Sequence, residues 1–146
     1  MSSWWQSVKH RFIHIQKLVI NQDNGPENNS RRTQFMKRMV DFSTSSQLNL
    51  QLAYYPPYHS KYHPIERCFG WLEQHWNGSL LDTVDTVLNF AQTLTFKGQN
   101  PIVTLVNQVY ATGVKLTTAA MTELEQHLHR HPSLPKWFVE IFPQPD

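Results

Sequence analysis

The stretch Leu18-Val19-Ile20-Asn21-Gln22-Asp23-Asn24-Gly25-Pro26 decides how this chain is read, because a short β-rich apolar run breaks off at a cluster of turn formers. Such a run fits a buried strand ending at Asp23, and the carboxylate then stands at the strand's C-terminal edge. On its N-terminal side, Trp5, Val8, Phe12 and Ile15 recur at helical spacing, so Trp4 to Ile15 reads as an amphipathic helix with Lys9, Arg11 and Gln16 in solvent. On its C-terminal side, Arg31 to Phe42 reads as a second helix. Phe35, Met36, Met39 and Val40 lie on one side of it, and Arg31, Arg32, Lys37 and Arg38 form a basic outer face. Leu48, Leu50 and Leu52 then alternate with Asn49 and Gln51, the period of a strand. Tyr54-Tyr55-Pro56-Pro57-Tyr58 closes that strand, since prolines cannot donate ladder hydrogen bonds.

Pro64 suits a first helical position, and Ile65, Phe69, Leu72 and Trp76 continue as a stripe until Asn77-Gly78. Leu81, Val84, Leu88, Ala91 and Leu94 mark another helix, ended by Lys97-Gly98-Gln99-Asn100-Pro101. A further helix is expected over Thr118 to Arg130, and Trp137-Phe138-Val139 reads as an apolar anchor between prolines. Helix, strand, helix, strand, helix, helix implies an α/β fold over residues 1–146, a small sheet covered by helices with a helical C-terminal portion. The active site of such a fold is expected where the strands end.

The chain has 146 residues, enough for one domain with a core. Its Lys and Arg outnumber Asp and Glu by 13 to 11, and the net charge of +2 is only a slight pointer to a polyanionic partner. Cys68 stands alone, which excludes an internal disulfide and suits a reduced, cytoplasmic setting. No run approaches the roughly 18 apolar residues of a membrane span, and Lys9, His10, Arg11 and His14 interrupt anything resembling a signal peptide. Neither a Gly-rich phosphate loop nor a base near Cys68 supports nucleotide hydrolysis or thiol catalysis. Trp4, Trp5, Trp71, Trp76 and Trp137 read as core fillers.

Asp23 follows one strand, and Glu66 lies in the first turn of the helix that follows the other strand. If the strands are neighbours, both carboxylates return to one sheet edge as oxygen ligands for a hard divalent cation, Mg2+ or Mn2+. Two-metal phosphoryl transfer holds its ions about 3.5 to 4 Å apart and needs a further carboxylate to bridge them. Residues 1 to 22 contain no Asp or Glu. Asp-Asn-Gly as a simple turn, and Glu66 as a partner for free amides at a helix start, are the plainer readings.

The pair of motifs Gln22-Asp23-Asn24-Gly25-Pro26-Glu27-Asn28 and Tyr54-Tyr55-Pro56-Pro57-Tyr58-His59-Ser60-Lys61-Tyr62-His63-Pro64-Ile65-Glu66-Arg67 resembles the second and third acidic motifs of DDE transposases. The resemblance is to the Rhodopirellula-type group. It continues through Trp71 to Gly78, Gly113-Val114-Lys115-Leu116 and Lys136-Trp137-Phe138, so nearly the whole chain is covered. It implies an RNase H-like fold, metal-dependent strand cleavage and joining at transposon ends, and a ligand role for Asp23 and Glu66. The family's first aspartate has no counterpart here, and His63 stands where many relatives have Asn.

Contacts to DNA phosphates are expected from Arg31, Arg32, His59, Lys61 and His63, with a solvated helix face as the alternative for the arginines. Tyr54, Tyr55, Tyr58 and Tyr62 are candidates for stacking on unpaired bases, against ordinary loop packing. The spacing of His59, His63 and Glu66 would suit zinc on one continuous helix, which Pro64 argues against. His127, His129 and His131 also have a metal-like pattern, but a solvated helix end next to Pro132 explains them about as well, and no site is assigned to them.

These residues add up to an expectation of the C-terminal part of a transposase catalytic domain that is inactive alone, its partner being transposon-end DNA rather than a membrane. Two alternatives remain: a non-catalytic regulator binding DNA or full-length transposase, and one half of a split or frameshifted enzyme whose missing N-terminal half carries the first acid.

Overall fold

Leu50, Leu52 and Tyr54 are buried while Asn49, Gln51 and Ala53 are only partly covered, so strand β2 (Asn49–Tyr54) presents one face to a core. A computed structural model of the chain describes residues 1–56, 64–109, 111 and 113–145. They fall into two compact units, Met1–Ser60 with Gly113–Asp146, and Lys61–Thr112.

In the first unit, β1 (Lys17–Gln22) runs parallel to β2, with Leu18 opposite Leu50, Ile20 opposite Leu52 and Gln22 opposite Tyr54. Helix α2 (Thr33–Ser46) connects them, as a parallel pair requires. The other side of β2 is taken by β4 (Phe138–Ile141), antiparallel, and β4 pairs with β3 (Leu128–Arg130) to give the order β1-β2-β4-β3. Two apolar rungs cross this mixed sheet: Leu18, Leu50, Ile141 and Leu128, then Ile20, Leu52 and Val139. Met36, Met39, Val40 and Phe42 of α2 pack on them together with Trp5 from α1 (Ser2–Val8) and Leu124 from α5 (Thr118–Glu125). On the opposite face Lys17 reaches Glu140 at 3.0 Å and Gln51 at 3.5 Å, so that face is polar.

Several expectations change. β1 is half-buried rather than buried, because it is an edge strand of this sheet, and Val19 is 48% exposed on the polar face. The first helix stops at Val8 and gives way to a 3-10 turn, Lys9–Arg11; Phe12 to Gln16 lead the chain into β1. The C-terminal portion is not wholly helical. α5 ends at Glu125, and Leu128–Arg130 and Phe138–Ile141 are strands. Leu124 and Leu128 are both buried, an i, i+4 spacing that imitates a continuing helix, whereas the partner that makes β3 a strand lies beyond Pro135. The tryptophans are not uniformly core: Trp5 is buried, but Trp4 and Trp71 are exposed.

The second unit pairs α3 (Pro64–His75) with α4 (Val84–Thr93). Thr83 caps α4, its Oγ1 accepting from the Thr86 amide at 3.1 Å. His75 Nε2 lies 3.0 Å from Thr93 Oγ1, and its ring meets Phe90 edge-on at 5.7 Å. Leu94 is the one buried apolar side chain of this unit among the described residues, and Ile102 and Val109 are 87% and 94% exposed. Among the described residues no helix is long and apolar enough to cross a membrane.

Candidate functional site

The last rung of the β1–β2 pair is polar. Gln22 and Tyr54 stand opposite each other, both buried, on the face that elsewhere carries Leu18, Leu50, Ile20 and Leu52. Asp23 is the first residue beyond that rung, at the C-terminal end of a parallel strand pair, and is exposed.

The loop after Asp23 is fastened to the sheet from below. Asn28 Nδ2 donates to Asp23 Oδ1 at 3.2 Å and to Gln22 Oε1 at 3.3 Å, and the Asn28 carbonyl accepts from the Tyr54 hydroxyl at 2.9 Å. Ser30 Oγ donates to the Lys136 carbonyl at 3.0 Å. Arg130 grips both oxygens of Glu125, at 2.7 and 3.0 Å, and donates to the Ser30 carbonyl at 2.8 Å. Each neutral bond contributes about 1 kcal/mol, and together they fix one loop conformation. Burial pushes the Tyr54 phenol up to about 12, with the Arg130 charge pulling the other way, so it remains a neutral donor.

Gly25 makes room over this loop. A Cβ there would meet Asp23 Oδ2 and Asn28 Oδ1 at 3.3 Å each and Glu27 Oε2 at 3.7 Å. Asp23 Oδ2 and Glu27 Oε2 beside this position are hard carboxylate oxygens, the donor chemistry that Mg2+ or Mn2+ accepts, while Asn28 Oδ1 is buried without a protein partner. Among the described residues no group of three or more His, Cys, Asp or Glu is gathered for a metal.

Glu66 sits in the first turn of α3, exposed, and belongs to the second unit, whereas Asp23 belongs to the first. Arg31 and Arg32 are not on the helix; they lie in the loop before Thr33, exposed, with Arg32 Nε donating to the Pro26 carbonyl. Lys37 pairs with Asp41 at 3.0 Å and Arg38 with the same carboxylate at 4.0 Å, which offsets part of the basic face. His59, Lys61 and His63 lie outside the described residues, as do Tyr58 and Tyr62 and with them the zinc spacing. Tyr54 is no stacking platform: its ring is buried and its hydroxyl is spent on Asn28. His127, His129 and His131 do not mark a helix end but flank and enter β3. His129 packs edge-on against Phe142, and His131 against Phe138.

Gln22, Asn28, Ser30 and Arg130 had no role assigned from sequence. Gln22 and Tyr54 carried a legible signal, polar residues at inward positions of otherwise apolar strands, but Arg130 reaches the loop only through the tertiary fold.

A search of curated proteins and one of solved structures each gave no match. The family profile described as Rhodopirellula transposase DDE domain matches residues 1–143, a span that takes in the strand pair, the Asp23 loop, α3 with Glu66 and the two C-terminal strands. The chain therefore belongs to the Rhodopirellula transposase DDE domain family.

Proposed function

We propose that this chain supplies Asp23 and Glu66 as two of the three acids of an RNase H-like centre that cleaves and joins DNA at transposon ends. The observation that carries this reading is the placement of Asp23 just past a parallel strand pair, in a loop tied to the sheet by hydrogen bonds through Asn28 and Tyr54, within a family match spanning residues 1–143. Strand ends of α/β sheets are where such folds bind ligands.

Asp23 offers a carboxylate oxygen beside Gly25, and Glu66, in the first turn of α3, is the second acid of the proposed set. Mg2+ or Mn2+ bound there would supply Lewis-acid activation of the attacking oxygen and stabilisation of the leaving one. The protein's part is to hold carboxylates still, so that no reorganisation accompanies the reaction. Arg31, exposed in the same loop, contributes salt-sensitive attraction to the phosphate backbone. Two carboxylates are too few for a two-ion centre, so on this reading a third acid has to join Asp23 and Glu66 before DNA is cleaved.

The test is end cleavage in Mg2+ by this chain, alone and assembled with the acid-bearing strand of a family transposase. Only the assembly should cleave, and Asp23→Asn or Glu66→Gln should each slow it by at least about 100-fold. Nicking by the isolated chain, or an assembly indifferent to both substitutions, would end this reading.

A further inference from the structure

Asp23 is exposed on a turn, where a carboxylate ordinarily samples several rotamers, yet its Oδ1 is held by an amide whose other contacts lie inside the fold. That amide belongs to Asn28, which is fixed at three points: Nδ2 on Asp23 Oδ1, Nδ2 on Gln22 Oε1, and its backbone carbonyl under the Tyr54 hydroxyl. The orientation has a cost. Asn28 Oδ1 and Gln22 Nε2 are both buried without a protein partner. Turning the Asn28 amide over would set its oxygen against the oxygens of both Gln22 and Asp23, so the amide faces the way that serves the carboxylate and leaves its own acceptor unpaired. With Oδ1 occupied, Asp23 Oδ2 is the oxygen left over Gly25, 3.3 Å from where a Cβ would sit.

We propose that Asn28 is the positioning residue of the Asp23 carboxylate: it engages Oδ1, locks one side-chain rotamer and presents Oδ2 over Gly25. This rests on the reading of Asp23 as a ligand, but it is separable from it. Asn28 acts through Asp23, and its own anchorage comes from the sheet. Its backbone bond to Tyr54 survives substitution of the side chain, so the loop keeps that tie when the amide is removed.

The experiment is NMR on the full 146-residue chain, with two readouts. Three-bond couplings to the Asp23 carboxyl carbon report its rotamer, and line broadening by added Mn2+ reports ion binding at Asn24 and Gly25. In the wild type the couplings should show one rotamer. In Asn28→Ala they should average over several, and the Mn2+ midpoint should weaken by about tenfold, the usual effect of losing a group that orients a ligand. Unshifted amides of Leu50, Leu52 and Val139 show that the sheet is intact. Should Asn28→Ala disturb them, Asn28→Ser is the variant to read, with the same averaging expected. Averaged couplings already in the wild type, or a single rotamer kept in the folded variant, would overturn the proposal. Broadening that persists in Asp23→Asn would instead bring down the ligand reading of Asp23 while the rotamer result stands.

Discussion

Tyr54 joins the core to the site through one hydroxyl, and its ionisation gives a direct handle on that link. Burial raises its phenol to about 12 from an ordinary value of 10.0, so the fold favours the neutral form. The folded value lies above the unfolded one. The associated stability is therefore complete below pH 10 and is lost as pH climbs from 10 towards 12. Denaturant melts of the wild type and Tyr54→Phe should run parallel up to about pH 10, after which the wild type should fall relative to the variant. Parallel curves throughout would mean that Tyr54 ionises in the fold as freely as in the unfolded chain. Asp23 was legible because a carboxylate followed by Asn-Gly-Pro at the end of a β-rich run is a distinctive string. Asn28 was not, since an asparagine in a polar loop says nothing of whether its amide is spent on a neighbour five residues back.

Helix α2 shows how far a periodic pattern carries and where it stops. Met36, Met39 and Val40 were legible as its inner side and are buried, but the helix runs on to Ser46, past the expected end at Phe42. The extension depends on hydroxyls that a propensity reading counts against a helix. Ser43 Oγ donates to the Leu48 carbonyl at 2.7 Å, and Ser46 Oγ to the Phe42 carbonyl at 2.6 Å. Gln47 then ends the helix in the left-handed region at φ 58°, with its amide on the Thr44 carbonyl at 2.7 Å. A left-handed non-glycine residue costs roughly 1 to 2 kcal/mol, and glycine's backbone entropy returns about 0.5 to 1 of that. Gln47→Gly is accordingly expected to stabilise the chain by about 0.5 kcal/mol and raise Tm. A lower Tm would show that the Gln47 side-chain bond outweighs the strain. Strand β2 was read correctly from alternation alone, whereas β3, three residues long, offered no period to detect.

The two units differ in how their helices are buried. In the first, α2 covers a four-stranded sheet and Met36, Leu52, Val139 and Ile141 are sealed from solvent. In the second, neither α3 nor α4 has a buried residue. Local opening follows burial, so hydrogen exchange should be slowest at Leu52 and Val139. The amides of α4 should open at a cost lower by a few kcal/mol, roughly a hundredfold or more in rate. Equal protection in both units would contradict this.

Local chemistry in the sequence determined the turn that presents Asp23, the proline that starts α3 ahead of Glu66, the alternation of β2 and the inner side of α2, because each depends on neighbours within a few residues. Only the tertiary structure decided that β1 lies at an edge, that residues 128–130 and 138–141 complete the sheet, and that Tyr54, Ser30 and Arg130 clamp the Asp23 loop. These depend on strand pairing and hydrogen bonds between groups up to 106 positions apart, whose partners no local pattern can specify.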